Sequence, residues 1–149
     1  MKSYIWKIEN RKSRIENKFT LMEMAVVILI LGLLATIVTP IYMNKVKQAK
    51  ITTARTQILM LEQAANDFNM SVGRFPATLD DLVRKTGDEK WDGPYLKGGL
   101  IPKDPWGNNY VYAVPGPNGM DFEIKSLGSD GMTGGTGDAA DITNYTPAQ

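Results

Sequence analysis

Residues 24–44 carry no charged side chain, and residues 25–38 form an apolar run relieved only by Gly32 and Thr36. A helix needs about 20 such residues to cross hydrocarbon, so this stretch predicts a transmembrane helix. It is longer than the apolar core of a secretory signal, and no small-x-small cleavage pattern follows it. A chain of this size could not cover it on all sides as a buried core helix. Farther on the pattern changes. Val46, Ala49, Ile58, Leu61, Ala65, Phe68 and Val72 fall largely three or four apart, which makes one apolar stripe on an otherwise polar helix. The two patterns together predict a single long helix over residues 19–72, apolar all round at first and then on one face only. Pro40 removes one backbone donor near the changeover and should loosen or kink the helix. Gly73 is a natural C-cap, and Arg74-Phe75-Pro76 stops continuation.

The remaining segments are shorter. Leu79-Asp80-Asp81-Leu82-Val83 predicts a short second helix with Thr78 as N-cap. Residues 90–109 are rich in Gly, Pro and Asn, with Trp91, Tyr95 and Trp106 among them. They predict stacked turns around a buried Trp106, with the aromatics packing a loop onto the helix rather than lining a ligand surface. Residues 110–114 have β propensity, residues 121–125 alternate polar and apolar, and Pro115-Gly116-Pro117-Asn118-Gly119 between them is turn chemistry. A β-hairpin is expected there. Residues 128–141 are Gly- and Asp-rich and read as loop.

Composition narrows the chemistry. The 149 residues allow one domain besides the membrane segment, and a net charge of +1 gives no field for nucleic acid. With no Cys and no His, disulfides, thiol and imidazole catalysis, and the commonest zinc ligands are all missing. A membrane-tethered enzyme would have to use pairs such as Asp80/Asp81 or Asp138/Asp141. The first two are adjacent on a helix and point to different sides. Residues 1–18 are polar and basic, with Lys2, Lys7, Arg11, Lys12, Arg14 and Lys18 against Glu9 and Glu16. Lys45, Lys47, Lys50 and Arg55 follow the apolar span, so the positive-inside rule leans only modestly towards a cytoplasmic N-terminus.

Glu23 stands at the head of the apolar run, where a carboxylate is costly unless it snorkels to water or meets a cation. The run Phe19-Thr20-Leu21-Met22-Glu23 before a long apolar helix resembles the processing signal of type IV pilins and pseudopilins. That resemblance implies cleavage by a prepilin peptidase between Lys18 and Phe19, methylation of the new Phe19 amine, and pairing of Glu23 with such an amine during assembly. Gly32 and Pro40 also sit where the family carries helix-loosening residues. The chain departs from the family at Lys18, where Gly is strongly preferred.

Asn69-Met70-Ser71-Val72-Gly73-Arg74-Phe75-Pro76, Gly93-Pro94-Tyr95-Leu96, and Pro102-Lys103-Asp104-Pro105-Trp106-Gly107-Asn108-Asn109-Tyr110 are similar to the major pseudopilins of type II secretion systems. Ser126-Leu127-Gly128-Ser129-Asp130-Gly131 and Asp141-Ile142 extend the likeness. It implies a pilin-like α+β fold: a long N-terminal helix, transmembrane in its first half, on a small antiparallel sheet with a C-terminal loop. The implied organisation is a cytoplasmic leader (1–18), a transmembrane segment (19–43) and a periplasmic domain (44–149) on the inner membrane. The implied role is structural, as a subunit that polymerises into a helical filament serving protein export. Its partners would be membrane lipid, further copies of itself, prepilin peptidase, minor pseudopilins and an inner-membrane assembly platform. A type IV pilus or minor pilin subunit is the alternative within the class.

The acidic loop holds Asp130, Asp138 and Asp141. Carboxylates crowded in one short loop must be solvated or neutralised, and hard oxygen ligands suit calcium. On the residues alone, a solvated loop is the commoner outcome. The family resemblance implies a structural Ca²⁺ held by the carboxylates of Asp130, Asp138 and Asp141 and the carbonyls of Leu127 and Met132. Gly135-Thr136-Gly137-Asp138-Ala139-Ala140 also fits a dinucleotide fingerprint, but no strand-turn-helix context surrounds it.

Overall fold

Thr20 starts the long helix. In the computed structural model, which describes residues 19–85 and 87–145, its hydroxyl accepts the Glu23 N–H at 3.1 Å and its carbonyl accepts the Met24 N–H at 3.1 Å. A threonine that caps the third helical residue satisfies one of the orphan donors of a helix start. Helix α1 then runs from Leu21 to Val72, 52 residues, with Pro40 inside it. The predicted leader and Lys18 lie outside the described residues.

The chain divides at Pro40 into two compact units. In the first, every described residue is exposed, and the most apolar 18-residue stretch has a mean hydropathy of 2.7. Thr36 and Thr39 donate their hydroxyls to the carbonyls of Leu33 and Ala35, both at 2.7 Å. Polar groups in this stretch are therefore satisfied within the helix, as an apolar solvent demands.

In the second unit α1 is one-sided. Ala54, Ile58, Leu61, Ala64, Ala65 and Phe68 are buried, with Ile51 and Val72 packed at the margin. The stripe therefore begins later than the sequence pattern suggested. Val46 is only half-buried and Ala49 is exposed, because the rest of the core does not reach that far along the helix. Gly73 ends α1 with a positive φ of 94° and donates its N–H to the Asn69 carbonyl at 2.8 Å.

The segment after α1 makes one 3-10 turn, Leu79–Leu82, rather than an α-helix. Thr78 takes the N-cap position as expected, and Asp81 reaches back over it. The Asp81 carboxylate accepts the Ala77 N–H at 2.8 Å, the Thr78 N–H at 3.3 Å and the Thr78 hydroxyl at 3.2 Å. Leu79 and Leu82 drop into the core.

Strands β1 (Val111–Ala113) and β2 (Glu123–Ser126) form the predicted hairpin, with Tyr112 opposite Ile124. The turn carries a 3-10 element at Pro117–Gly119, with Asn118 at a positive φ of 54°. Gly116 is required by close approach, since a Cβ there would lie 2.7 Å from the Phe122 backbone. A third strand, β3 (Ile142–Thr143), pairs antiparallel with β2 and completes the order β1-β2-β3. The sequence reading did not foresee it. Asn144 extends its pairing: its N–H donates to the Ile124 carbonyl at 3.0 Å, and its side-chain oxygen accepts the Ile124 N–H at 2.9 Å.

The sheet and α1 share one core in which Phe68 meets Tyr95 edge-on at 5.5 Å. Truncating Phe68 to Ala should cost about 3–5 kcal/mol, read as a lower midpoint in denaturant by tryptophan fluorescence; a loss below about 1 kcal/mol would mean that this contact is not central. Burial, helped by the nearby Asp81 charge, pushes the Tyr112 hydroxyl from 10.0 up to about 12, while it donates to the Pro76 carbonyl at 2.9 Å. Both folded and unfolded forms are protonated below pH 10, so this contribution to stability is intact there and is lost as pH rises towards 12. A pH titration of stability from 8 to 12 should therefore fall less steeply in Tyr112→Phe than in the wild type.

Candidate functional sites: the helix head and the acidic loop

Two places answer to the predicted site residues. The first is the head of α1. Phe19 is 69 % exposed and precedes the cap, and Glu23 is an exposed residue of the first turn. The carboxylate sits where the helix dipole favours negative charge, and the apolar residues around it are exposed.

The second is the loop after β2, and a buried carboxylate sets it in place. Asp104 is 4 % exposed. Its Oδ1 accepts the N–H groups of Trp106 at 3.1 Å and Asn108 at 2.7 Å, and its Oδ2 accepts the Ser126 hydroxyl at 2.6 Å. Ser126 in turn accepts the Gly128 N–H at 3.3 Å, and the Asn108 side-chain amide donates to the Gly128 carbonyl at 3.1 Å. The stacked turns are therefore built around Asp104, whereas the sequence reading had placed a buried Trp106 at their centre. Trp106 is half-buried and packs at the edge of the core. Trp91 and Tyr95 are also half-buried. The Trp91 indole donates to the Asp81 carbonyl at 2.9 Å, and the two rings meet edge-on at 5.8 Å. These aromatics hold the loop to the core, as the sequence reading expected of them.

Beyond Gly128 the loop folds tightly on itself. Ser129 donates its N–H to the Asp138 carbonyl at 2.9 Å, and Asp141 donates to the Gly134 carbonyl at 3.1 Å. Gly128 has a positive φ of 64°, and a Cβ there would lie 2.8 Å from the Ala139 carbonyl. A single 3-10 turn, Gly137–Ala139, is the loop's regular element.

The predicted ligands are placed as follows. Asp130 is exposed and its carboxylate accepts the Met132 N–H at 3.1 Å. Met132 is 70 % exposed, and Leu127 is half-buried. Asp138 faces Lys47 of α1 across 3.4 Å. Asp141 has a buried Oδ1 with no hydrogen-bond partner. Among the described residues no three acidic side chains already stand together as a metal cluster. The donor set still suits a hard cation: an oxygen-only loop, and one buried carboxylate oxygen awaiting a partner. Of the acidic pairs considered for catalysis, Asp80 and Asp81 have structural partners instead, with Asp81 over the Thr78 cap and Asp80 near Arg84 at 3.8 Å.

The family described as Type II secretion system (T2SS), protein G matches residues 41–145. The type II secretion system core protein G of Pseudomonas aeruginosa is 42% identical over 141 residues, covering 89% of this chain and 96% of that protein. The chain belongs to the type II secretion system protein G family. The core protein G of Vibrio cholerae is 40% identical over 142 residues, covering 91% of this chain and 95% of its own length. The crystal structure of the major pseudopilin from the type 2 secretion system of enterohaemorrhagic Escherichia coli superposes with a TM-score of 0.55 at 30% identity. It covers 68% of this chain and 91% of that one. The pilin-like α+β fold expected from the sequence is thus the fold of a protein G family member. The family is structural, and this chain is not an enzyme. Its apolar helix makes it a membrane-anchored member.

Asp104 offers the sharpest test of the site's scaffold. Replacing it with Ala strands two backbone N–H groups and a hydroxyl, at about 1–3 kcal/mol for each donor left buried. Asp104→Ala should therefore be destabilised by several kcal/mol in denaturant titrations, and near-wild-type stability would remove Asp104 from the centre of the scaffold.

Proposed function

We propose that this chain is the repeating structural subunit of a pseudopilus, a helical filament that drives protein export through a type II secretion system. One observation carries the proposal: α1 up to Pro40 is a predominantly apolar stretch whose described residues are all exposed, with a single carboxylate in its first turn. In the bilayer, lipid covers that surface. Once the subunit leaves lipid, only further copies of the same helix can do so. Identical heterologous contacts repeated by a screw operation give an open filament.

In this reading the leader is cytoplasmic and the C-terminal unit periplasmic. Prepilin peptidase cuts before Phe19 and methylates its amine, and minor pseudopilins and an inner-membrane assembly platform act on the growing filament. Glu23 meets the ammonium of Phe19, most usefully that of a neighbouring copy, which takes two isolated charges out of lipid and sets the register of subunits. The acidic loop holds a structural Ca²⁺ through Asp130, Asp138 and Asp141 and the carbonyls of Leu127 and Met132. Bound there, calcium supplies charge neutralisation that stabilises the folded loop by linkage. The unpartnered Asp141 Oδ1 supports this reading.

Glu23→Ala should leave the C-terminal unit folded, with an unchanged melting temperature, and abolish or strongly reduce filaments in a pseudopilus assembly assay; normal filaments would defeat the pairing. Intact mass and N-terminal sequencing of membrane-extracted protein should show a chain beginning at a methylated Phe19, and retention of residues 1–18 would show that Lys18 blocks the cut. Millimolar Ca²⁺ should raise the melting temperature and chelator should reverse the rise. An identical melting curve in both conditions would exclude the metal.

A further inference from the structure

Lys47 lies on the second unit's part of α1, remote in sequence from the acidic loop, yet its ammonium approaches Asp138 Oδ1 at 3.4 Å. Both partners remain accessible, with side chains 48% and 30% exposed. Of the three carboxylates proposed to hold calcium, Asp138 alone has a cation opposite it among the described residues. Asp130 is turned onto a backbone N–H, and one oxygen of Asp141 is left without a partner.

We infer that Lys47 competes with the divalent cation for Asp138. This rests on the calcium reading above and concerns how that site is regulated. With calcium scarce, the Lys47 ammonium neutralises Asp138 and ties the loop to the helix. With calcium bound, Asp138 turns to the metal and Lys47 is released as a free cation on the face of α1.

The sign of the coupling does not depend on the detail of the exchange. If Asp138 leaves Lys47 entirely, the metal must first break an ion pair. If it keeps Lys47 on one oxygen and offers the other to the metal, a +1 and a +2 charge are held close together. Either way the lysine weakens calcium binding. Reciprocally, calcium sets the charge state of the α1 surface at Lys47. Because the pair is exposed, the effect is moderate and is screened by salt.

The test is calorimetric titration of calcium chloride into the full chain in detergent micelles at low ionic strength. Lys47→Gln should bind calcium about three- to tenfold more tightly than wild type. Lys47→Arg, which keeps the charge, should stay near wild type, and raising the salt should shrink the Lys47→Gln gain. Lys45→Gln removes the same charge two residues away and should have little effect. Equal tightening by Lys45→Gln and Lys47→Gln would overturn the competition in favour of a general field, and so would an unchanged affinity in Lys47→Gln. If neither wild type nor any variant binds calcium, the metal site itself is wrong and the competition falls with it, a result distinct from binding that ignores Lys47.

Discussion

The C-terminal unit depends on one carboxylate removed from water. Asp104 collects two N–H groups from its own turn and a hydroxyl from β2. A buried charge is tolerated only when hydrogen bonds replace its hydration, so the three donors cannot drift independently. The turn from Pro105 to Asn108 is thereby fixed to the end of β2. Ser126 and Asn108 then pass the constraint to Gly128, where the acidic loop begins. A glycine-rich segment thus leaves the sheet from a fixed point.

The long helix answers to two solvents in succession. Before Pro40 its side chains ask for hydrocarbon or for like helices, and its threonines satisfy themselves on neighbouring carbonyls. Later, between Ala54 and Phe68, three alanines share the buried face with Ile58, Leu61 and Phe68, which supply the helix's part of the core. The same backbone is membrane segment in one half and core stave in the other.

Legibility in the sequence followed periodicity. The long helix and the hairpin each have enough residues for their pattern to rise above composition, and both were read nearly to their ends. The two-residue β3 could not be read, because Ile142-Thr143 is too short for any alternation to register; its pairing comes from Asn144 and the free edge of β2. Asp104 was also missed, although an Asp-Pro-Trp-Gly run is a turn signal in which the Asp oxygen commonly accepts nearby N–H groups. Trp106 is the bulkier signal in that run, but bulk is not burial, and the smaller Asp104 is the buried residue. The stripe on α1 was read too early at Val46 and Ala49 because spacing alone does not say where the rest of the core begins. Glu23 and the three late aspartates could be picked out as unusual from charge in context. What each of them meets is set by distant residues, such as Lys47, or by molecules outside the subunit.

The third strand has a consequence for the outer edge of β2. β3 pairs with Lys125 and Ser126, and Asn144 answers both the N–H and the carbonyl of Ile124. Without them β1 and β2 could still pair, but the far side of β2 would be left open. A bare strand edge is a template for pairing with another chain, so this short cover keeps the sheet from recruiting a neighbour along its backbone.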